Sequence, residues 1–258
     1  MTSGSPGRLI ILFAIPLMLG NICQQLYTMV DTMVVGQVVG VEALAALGAV
    51  DFLMWVVTGI STGLTQGFSI QLSQYYGAKD FENLRKSLAH SYRLTAFIAA
   101  GVLILSQSFA SLVLTGLHTP SNIIGMSLLY LRIIFCGIPA TAAYNMFASA
   151  LRAMGNSKTP LTSMIIASVL NVSLDILFVA GFGWGVAGAA IATVIAQSFS
   201  AVYCFLILRR IDIVHLTRAD FMPASGMNAR LMKLGIPVVF QNIIIGVGLS
   251  LIHISEPT

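Results

Sequence analysis

Residues 9–36 read LIILFAIPLMLGNICQQLYTMVDTMVVG. The run is apolar for longer than the roughly 20 residues that cross a bilayer as a helix. It nevertheless holds Asn21, Gln24, Gln25, Thr28, Asp31 and Thr32. These recur at three- and four-residue steps, so a helix gathers them on one face. A carboxylate at the centre of a spanning helix costs about 2.5–3.5 kcal/mol on insertion scales. It is kept where it is protonated, paired or turned to a polar cavity; near a helix end it can also be interfacial. The run far exceeds the roughly 7–15 apolar residues of a secretory signal core. A permanent helix is expected, not a cleaved leader.

The rest of the chain has the same character. Of its 258 residues, 57% are hydrophobic and only 9% are charged, against roughly 25% charged in soluble domains. Mean hydropathy is +0.91. So little charge cannot clothe a soluble surface, and the fold class expected is an all-α membrane protein. Lipid cannot satisfy free backbone polar groups, which disfavours irregular spans. Apolar stretches predict further helices at 44–75, 93–115, 127–151, 160–181 and 186–208. With the first run these make a six-helix transmembrane bundle over 1–208. A seventh helix is predicted from about 231 to 251. Gly36 and Gly40, Thr119-Pro120-Ser121, Gly155 to Pro160, and Gly181, Gly183 and Gly185 punctuate the joints.

The polar stretch 209–230 reads as a linker, leaving 231–258 as the truncated start of a second bundle. The tail 252–258, with His253 through Thr258, suits neither a helix core nor a basic anchor and reads as non-native. Lys and Arg set the orientation. They cluster at Lys79 to Arg93, at Arg152 and Lys158, and at Arg209 to Lys233, and are missing from 37–43, 116–126 and 182–185. This alternation predicts a cytoplasmic N-terminus and a cytoplasmic linker. Arg132 is the exception, near the outer end of the fourth span. The net charge of +4 does not point to nucleic acid, because no basic run lies in a soluble segment. Residues 79–86 read as a solvated amphipathic connector, and Asp51 as an anion at the start of the second helix. Cys23, Cys136 and Cys204 each lie in apolar stretches without a CxxC pair and read as small core residues.

Two further polar residues lie inside a span. Asn171 and Asp175 are four apart and share a helix face, with Ser168 on the same side. A carboxylate and an amide so placed can offer oxygens to a sodium ion, or an acceptor to a proton. A helix-to-helix hydrogen bond is the plainer alternative. Thr193 and Gln197 share a face of the sixth span. Tyr130, Thr141, Asn145 and Ser149 dot the fourth, and each of these six alone is more simply packing glue than a ligand. Pro16 removes a backbone donor inside the first helix and predicts a bending point there. The four histidines are scattered without metal spacing, and neither a Walker A loop nor a catalytic constellation occurs. No enzyme is expected.

A short internal match adds to this. Ile15-Pro16-Leu17-Met18-Leu19-Gly20-Asn21 resembles Ile236-Pro237-Val238-Val239-Phe240-Gln241-Asn242. The separation is six helices plus a linker, a spacing found in transporters with parallel repeats.

Three stretches together resemble the multidrug and toxic compound extrusion (MATE) family of transporters. The first is Ile15-Pro16, Asn21, Gln24, Val30-Asp31-Thr32 and Gly36. The second is Ala150 through Pro160, and the third Gly183 through Thr193. The resemblance covers about 8–251. It implies the N-lobe of a twelve-helix protein built as two bundles about a cleft. The implied activity is secondary active efflux by alternating access: an antiporter of the cell membrane, without a cofactor, exporting organic solutes against sodium or protons. It also implies a coupling site of Asp31, Asn171, Asp175 and Thr193, which would bind Na+ if sodium is the ion. Gln24, Tyr130 and Asn145 would line the substrate cavity, and Pro16 would be the hinge. A C-terminal six-helix half would be needed for function. A flippase of lipid-linked precursors in the same superfamily would want several cationic groups in its cavity, and Arg132 is the single candidate. A non-transporting membrane scaffold would have no need of the carboxylates.

Overall fold

The structure is a computed structural model that describes residues 6–224 and 226–255. The non-native reading of the tail falls partly on Glu256-Pro257-Thr258, outside the described residues. Among the described residues every regular element is helical: α1 Pro6–Val38, α2 Val41–Gly77, α3 Phe81–Gly116, α4 Ile124–Cys136, α5 Ile138–Ala153, α6 Lys158–Asp175, α7 Gly185–Leu208 and α8 Met227–Ser255. A π-helical stretch, Ile176–Gly181, continues α6, and two short 3-10 turns interrupt the segment between α7 and α8. By length and hydropathy, α2, α3, α6 with its π stretch, α7 and α8 suffice to cross a membrane, and α4 with α5 makes a sixth span. α1, at 33 residues, is also long enough for a crossing.

The surface confirms the solvent. Phe97 (71%), Ile104 (65%), Leu112 (67%), Val169 (65%) and Ile244 (67%) stand exposed on the flanks. Apolar cover on that scale suits hydrocarbon rather than water. Inside are two core clusters. One joins Val35, Leu47, Val57, Leu131, Phe135 and Ala189. The other joins Phe68, Leu72, Leu88, Met146, Leu151 and Leu231. The bundle therefore packs through the helix faces that the polar residues leave free.

Several expectations need correction. The span expected at 127–151 is two helices, bent by 46° between α4 and α5. Gly137 stands at the break and a proline follows within the first turn of α5. Proline is tolerated there because a first-turn N–H has no intrahelical partner. The break also lets α7 approach: a Cβ on Gly137 would lie 2.6 Å from Val194 Cγ2. The connector at 79–86 is mostly helix. The side chain of Asp80 accepts from the Asn83 amide N–H at 3.2 Å and caps α3 at its start. Asp51 does not open a helix, since α2 begins at Val41 and Asp51 is an exposed residue within it. Cys136 is exposed, with its sulfur 3.3 Å from Gln107 Nε2, whereas Cys204 is buried. α1 runs as a continuous helix through Pro16, as α8 does through Pro237.

Two contacts fix how α8 sits. α2 and α8 meet backbone to backbone, since a Cβ on Gly63 would lie 2.7 Å from Val239 Cα and one on Gly67 would lie 2.7 Å from Leu234 O. The segment before α8 is docked on α3. Buried His90 places Nδ1 2.7 Å from Asn228 Oδ1 and Nε2 3.0 Å from the Met222 carbonyl oxygen. Arg93 donates to the Phe221 carbonyl at 3.4 Å, and Arg85 lies 3.8 Å from Asp220.

Candidate functional site

α1, α6 and α7 pack against one another. Their contact gathers the polar residues that the sequence had placed on three separate spans. Asp31 (5% exposed), Asn171 (1%) and Asp175 (0%) are buried, and Thr193 is half-buried beside them. Asn171 and Asp175 share one face of α6, a turn apart, as their spacing predicts. One orientation of the Asn171 amide serves two neighbours: it donates to Asp175 Oδ2 at 3.2 Å and accepts from the Thr193 N–H at 3.3 Å. The other orientation offers a single 3.4 Å contact to Thr193 Oγ1. The first satisfies more groups and is the better assignment.

Two carboxylate oxygens stay unmatched. Asp31 Oδ1 and Asp175 Oδ1 are fully buried without a hydrogen-bond partner among the described residues. The ion pairs found there are Arg85–Asp220, Lys86–Glu82 and His215–Asp212, all outside this site. A buried charge without a partner is strongly unfavourable. These oxygens call for a proton or a small cation. The donor set of carboxylate, amide and hydroxyl oxygens fits a hard cation rather than a soft metal. No group of three His, Cys, Asp or Glu that could hold a metal occurs among the described residues.

The backbone widens from α to π spacing at this point. Asp175 is the last α-helical residue before the π-helical stretch Ile176–Gly181. Single π turns within helices are frequent at functional sites. Here the stretch is buttressed by Phe178, whose ring stacks on Trp184 at 5.0 Å, and by Gly188, where a Cβ would lie 3.1 Å from the Phe178 backbone carbon.

The other named residues make no hydrogen bond to this set among the described residues. Gln24 is exposed on α1, and its carbonyl accepts from Thr28 Oγ1 at 3.0 Å. Tyr130 is buried in the apolar core with Leu131 and Phe135. Asn145 is half-buried and donates to Thr62 Oγ1 at 3.3 Å. Ser168 spends its hydroxyl on the Met164 carbonyl at 2.8 Å and does not join Asp175. Pro16 is half-buried, well away from the carboxylates along α1.

Tyr27, which the sequence had not singled out, and Gln197, which it had placed on the Thr193 face, complete the site. Tyr27 and Gln197 join Asn171 and Thr193 around a small cavity of about 10 Å3. Gln197 Nε2 donates to the Tyr27 hydroxyl at 3.4 Å. Tyr27 stands one turn before Asp31 and Gln197 one turn after Thr193, a signal the three-to-four-residue spacing carried. On its other side Tyr27 walls an apolar groove of about 360 Å3 between α1 and α6, lined also by Leu26, Val30, Val169 and Val172.

A bundle of spanning helices that buries carboxylates belongs to the class of polytopic membrane proteins. The chain belongs to the MATE family: the MatE family model matches residues 16–177. It is 31% identical over 251 residues to "Probable multidrug resistance protein YpnP" of Bacillus subtilis, covering 97% of this chain and 56% of that protein. It is 22% identical over 238 residues to "Multidrug export protein MepA" of Staphylococcus saprophyticus, covering 91% of this chain and 52% of the relative. Its fold matches that of a MOP superfamily transporter from Pyrococcus furiosus with a TM-score of 0.89 at 24% identity, over 96% of this chain and 55% of the other. The chain thus spans about half the length of the curated relatives it matches. Those relatives are named as multidrug resistance and export proteins.

Proposed function

We propose that the chain supplies the N-terminal six-helix bundle of a cation-coupled efflux antiporter, together with the start of the second bundle. The substrates would be drugs or other organic, cationic solutes, and the coupling ion sodium or a proton. The observation that carries this reading is the pair of buried, unpartnered oxygens on Asp31 and Asp175. In the proposed mechanism Asp31, Asn171, Asp175 and Thr193 receive the ion. Its arrival cancels negative charge in the bundle and lowers affinity for a cationic solute. The exchange can be no stronger than the difference in ion affinity between the inward and outward states; a tenfold difference is worth about 1.4 kcal/mol. Gln24, Tyr130 and Asn145 would line the path of the solute, and Pro16 would let α1 bend. The N-terminus and 209–230 would face the cytoplasm, with the second bundle completing the cleft. Arg132 is the single cationic candidate for the cavity, which counts against a flippase for anionic lipid precursors, since that would want several.

The test is efflux of a cationic dye from vesicles carrying the full-length protein, with sodium and proton gradients imposed separately. Asp31→Asn and Asp175→Asn should each abolish coupled efflux while leaving insertion intact. Normal efflux by either variant would remove that carboxylate from the mechanism.

A further inference from the structure

Phe221 and Met222 lie outside α1–α8, yet they are 41% and 66% exposed. What the bundle holds is their backbone. Arg93 donates to the Phe221 carbonyl at 3.4 Å, and His90 Nε2 lies 3.0 Å from the Met222 carbonyl oxygen. Both apolar side chains are left outside. The face of α3 that receives this turn is the one that meets hydrocarbon. His90 stands seven residues before Phe97 and Arg93 four before it, so all three share a helix face. Phe97 is 71% exposed, and Ile104 (65%) and Leu112 (67%) extend the same apolar stripe. Roughly 20 residues cross the hydrocarbon core. Counted back from Gly116 at the end of α3, they reach Phe97. His90 and Arg93 therefore fall in the headgroup layer, with the docked turn beside them. Charge on this flank is positive and partly free. Arg85 lies 3.8 Å from Asp220 and Lys86 2.6 Å from Glu82. Arg93 is half-buried and Arg218 exposed, and neither has a carboxylate within ion-pair distance among the described residues.

We propose that residues 218–222 are an interfacial anchor: Phe221 and Met222 enter the cytoplasmic leaflet beside α3, and Arg93 and Arg218 bind the headgroup phosphates of anionic phospholipids. Apolar tips flanked by cations are the chemistry that the boundary of an anionic leaflet takes up. A guanidinium fork suits a phosphate better than a point charge does. The lipid supplies the counter-charge that no carboxylate gives these two arginines. The flank is continuous with the hydrocarbon-facing stripe of α3, so a lipid reaches it without leaving the leaflet. The anchor also ties the connection between α7 and α8 to the membrane, through the bonds that α3 makes to its backbone. The proposal rests on the reading of 209–230 as cytoplasmic.

The experiment uses the full-length protein in phosphatidylcholine vesicles, with every other cysteine replaced. Met222→Cys carries an environment-sensitive fluorophore, which bromine on a lipid chain quenches on contact. Bromines near the headgroup end of the chain should quench it more than bromines near the methyl end. Brominated phosphatidylglycerol should reach half-maximal quenching at roughly one-fifth the mole fraction of brominated phosphatidylcholine, the factor for one cation at an anionic surface. Arg218→Gln should remove most of that preference and keep the depth profile; Arg93 stays in place, because it holds the Phe221 carbonyl. The same fluorophore on Ile104→Cys should respond most to the deep bromines and show no preference between the lipids. If Met222→Cys disturbs the docked turn, Phe221→Cys is read in the same way. A fluorophore on Met222→Cys that neither lipid quenches, while Ile104→Cys is quenched, would mean that the second bundle covers the turn, and would overturn the anchor. Equal quenching by the two lipids, or an unchanged preference in Arg218→Gln, would overturn the headgroup pairing. Labelling of Ala219→Cys from outside intact cells by a membrane-impermeant maleimide would instead bring down the cytoplasmic reading of 209–230, and the proposal with it.

Discussion

Replacing Gly67 by alanine should loosen the crossing of α2 and α8. The new Cβ would fall against the backbone of Gly235 and lie 2.7 Å from Leu234 O. Carbon atoms pack at roughly 3.5–4.0 Å, so the helices must part by about 1 Å there. Backbone atoms cannot swing aside as a side-chain tip can. Overpacking of this kind costs about 1–3 kcal/mol. Gly63→Ala meets the same obstacle, with Val239 Cα at 2.7 Å. Gly48, on the same helix, supplies the control, because a Cβ there would have nothing within 4 Å. Gly48→Ala should be neutral or stabilising by up to about 1 kcal/mol, the difference in helix propensity. The assay is thermal unfolding of the purified chain in detergent, followed by loss of the monodisperse species. Gly67→Ala should melt below the parent chain and Gly48→Ala at or above it. Equal melting of the two variants would show that the α2–α8 approach does not restrain the bundle, and the close-packing argument would fail.

Other expectations concern the same side of the bundle. His90→Ala removes the half-buried polar contacts to Asn228 and the Met222 carbonyl oxygen, a loss of about 0.5–1.5 kcal/mol for each hydrogen bond. It should speed amide hydrogen exchange in residues 219–224 while sparing α5 and α7; unchanged exchange would show that Arg93 and Arg85 hold the segment unaided. At the start of α3, the Asn83 side-chain amide and then its backbone N–H hold the Asp80 carboxyl below its usual range. A lowered value means that the capping contribution is present above about pH 3.9, the ordinary aspartate value. It is lost as pH falls through the lowered value. Asp80→Ala should fray residues 81–84 at neutral pH and erase that acid dependence, both readable by amide exchange.

The spans were legible because lipid imposes a simple rule. Every backbone group must be satisfied within the segment, so an apolar run of sufficient length is a helix. Residues 171 and 175 were legible as a pair because one helix fixes their spacing. The break at Gly137 was not. Hydropathy runs unchanged through it, and the proline that follows is at home in a first helical turn. The early start of α3 was missed for the opposite reason. Residues 81–92 are polar on one face, so hydropathy discounts them, although Asp80 and Asn83 already spelled a cap. The partners of His90 lie 132 and 138 residues away, where no local pattern reaches. For Tyr27 and Gln197 the helical faces could be read, but the rotation of α1 against α7 that joins them is set by packing.

That rotation gives the two flanks of Asp31 opposite characters. On one side along α1, Gln24 and Thr28 are exposed with Asn21 and Gln25. Amides cannot rest in hydrocarbon without partners, so this flank needs water or further protein against it. On the other side Tyr27, Val30 and Leu26 face the apolar groove, which gives an ion nothing to bind. In the proposed antiporter an ion moving to the buried Asp31 oxygen would come along the amide-bearing flank, past Gln24 and Thr28. In the proposed antiporter that is also the flank where Gln24 would meet the solute. Competition between ion and solute then needs no long-range wiring: both approach Asp31 over the same polar turn of α1, and the one that arrives changes the charge the other meets.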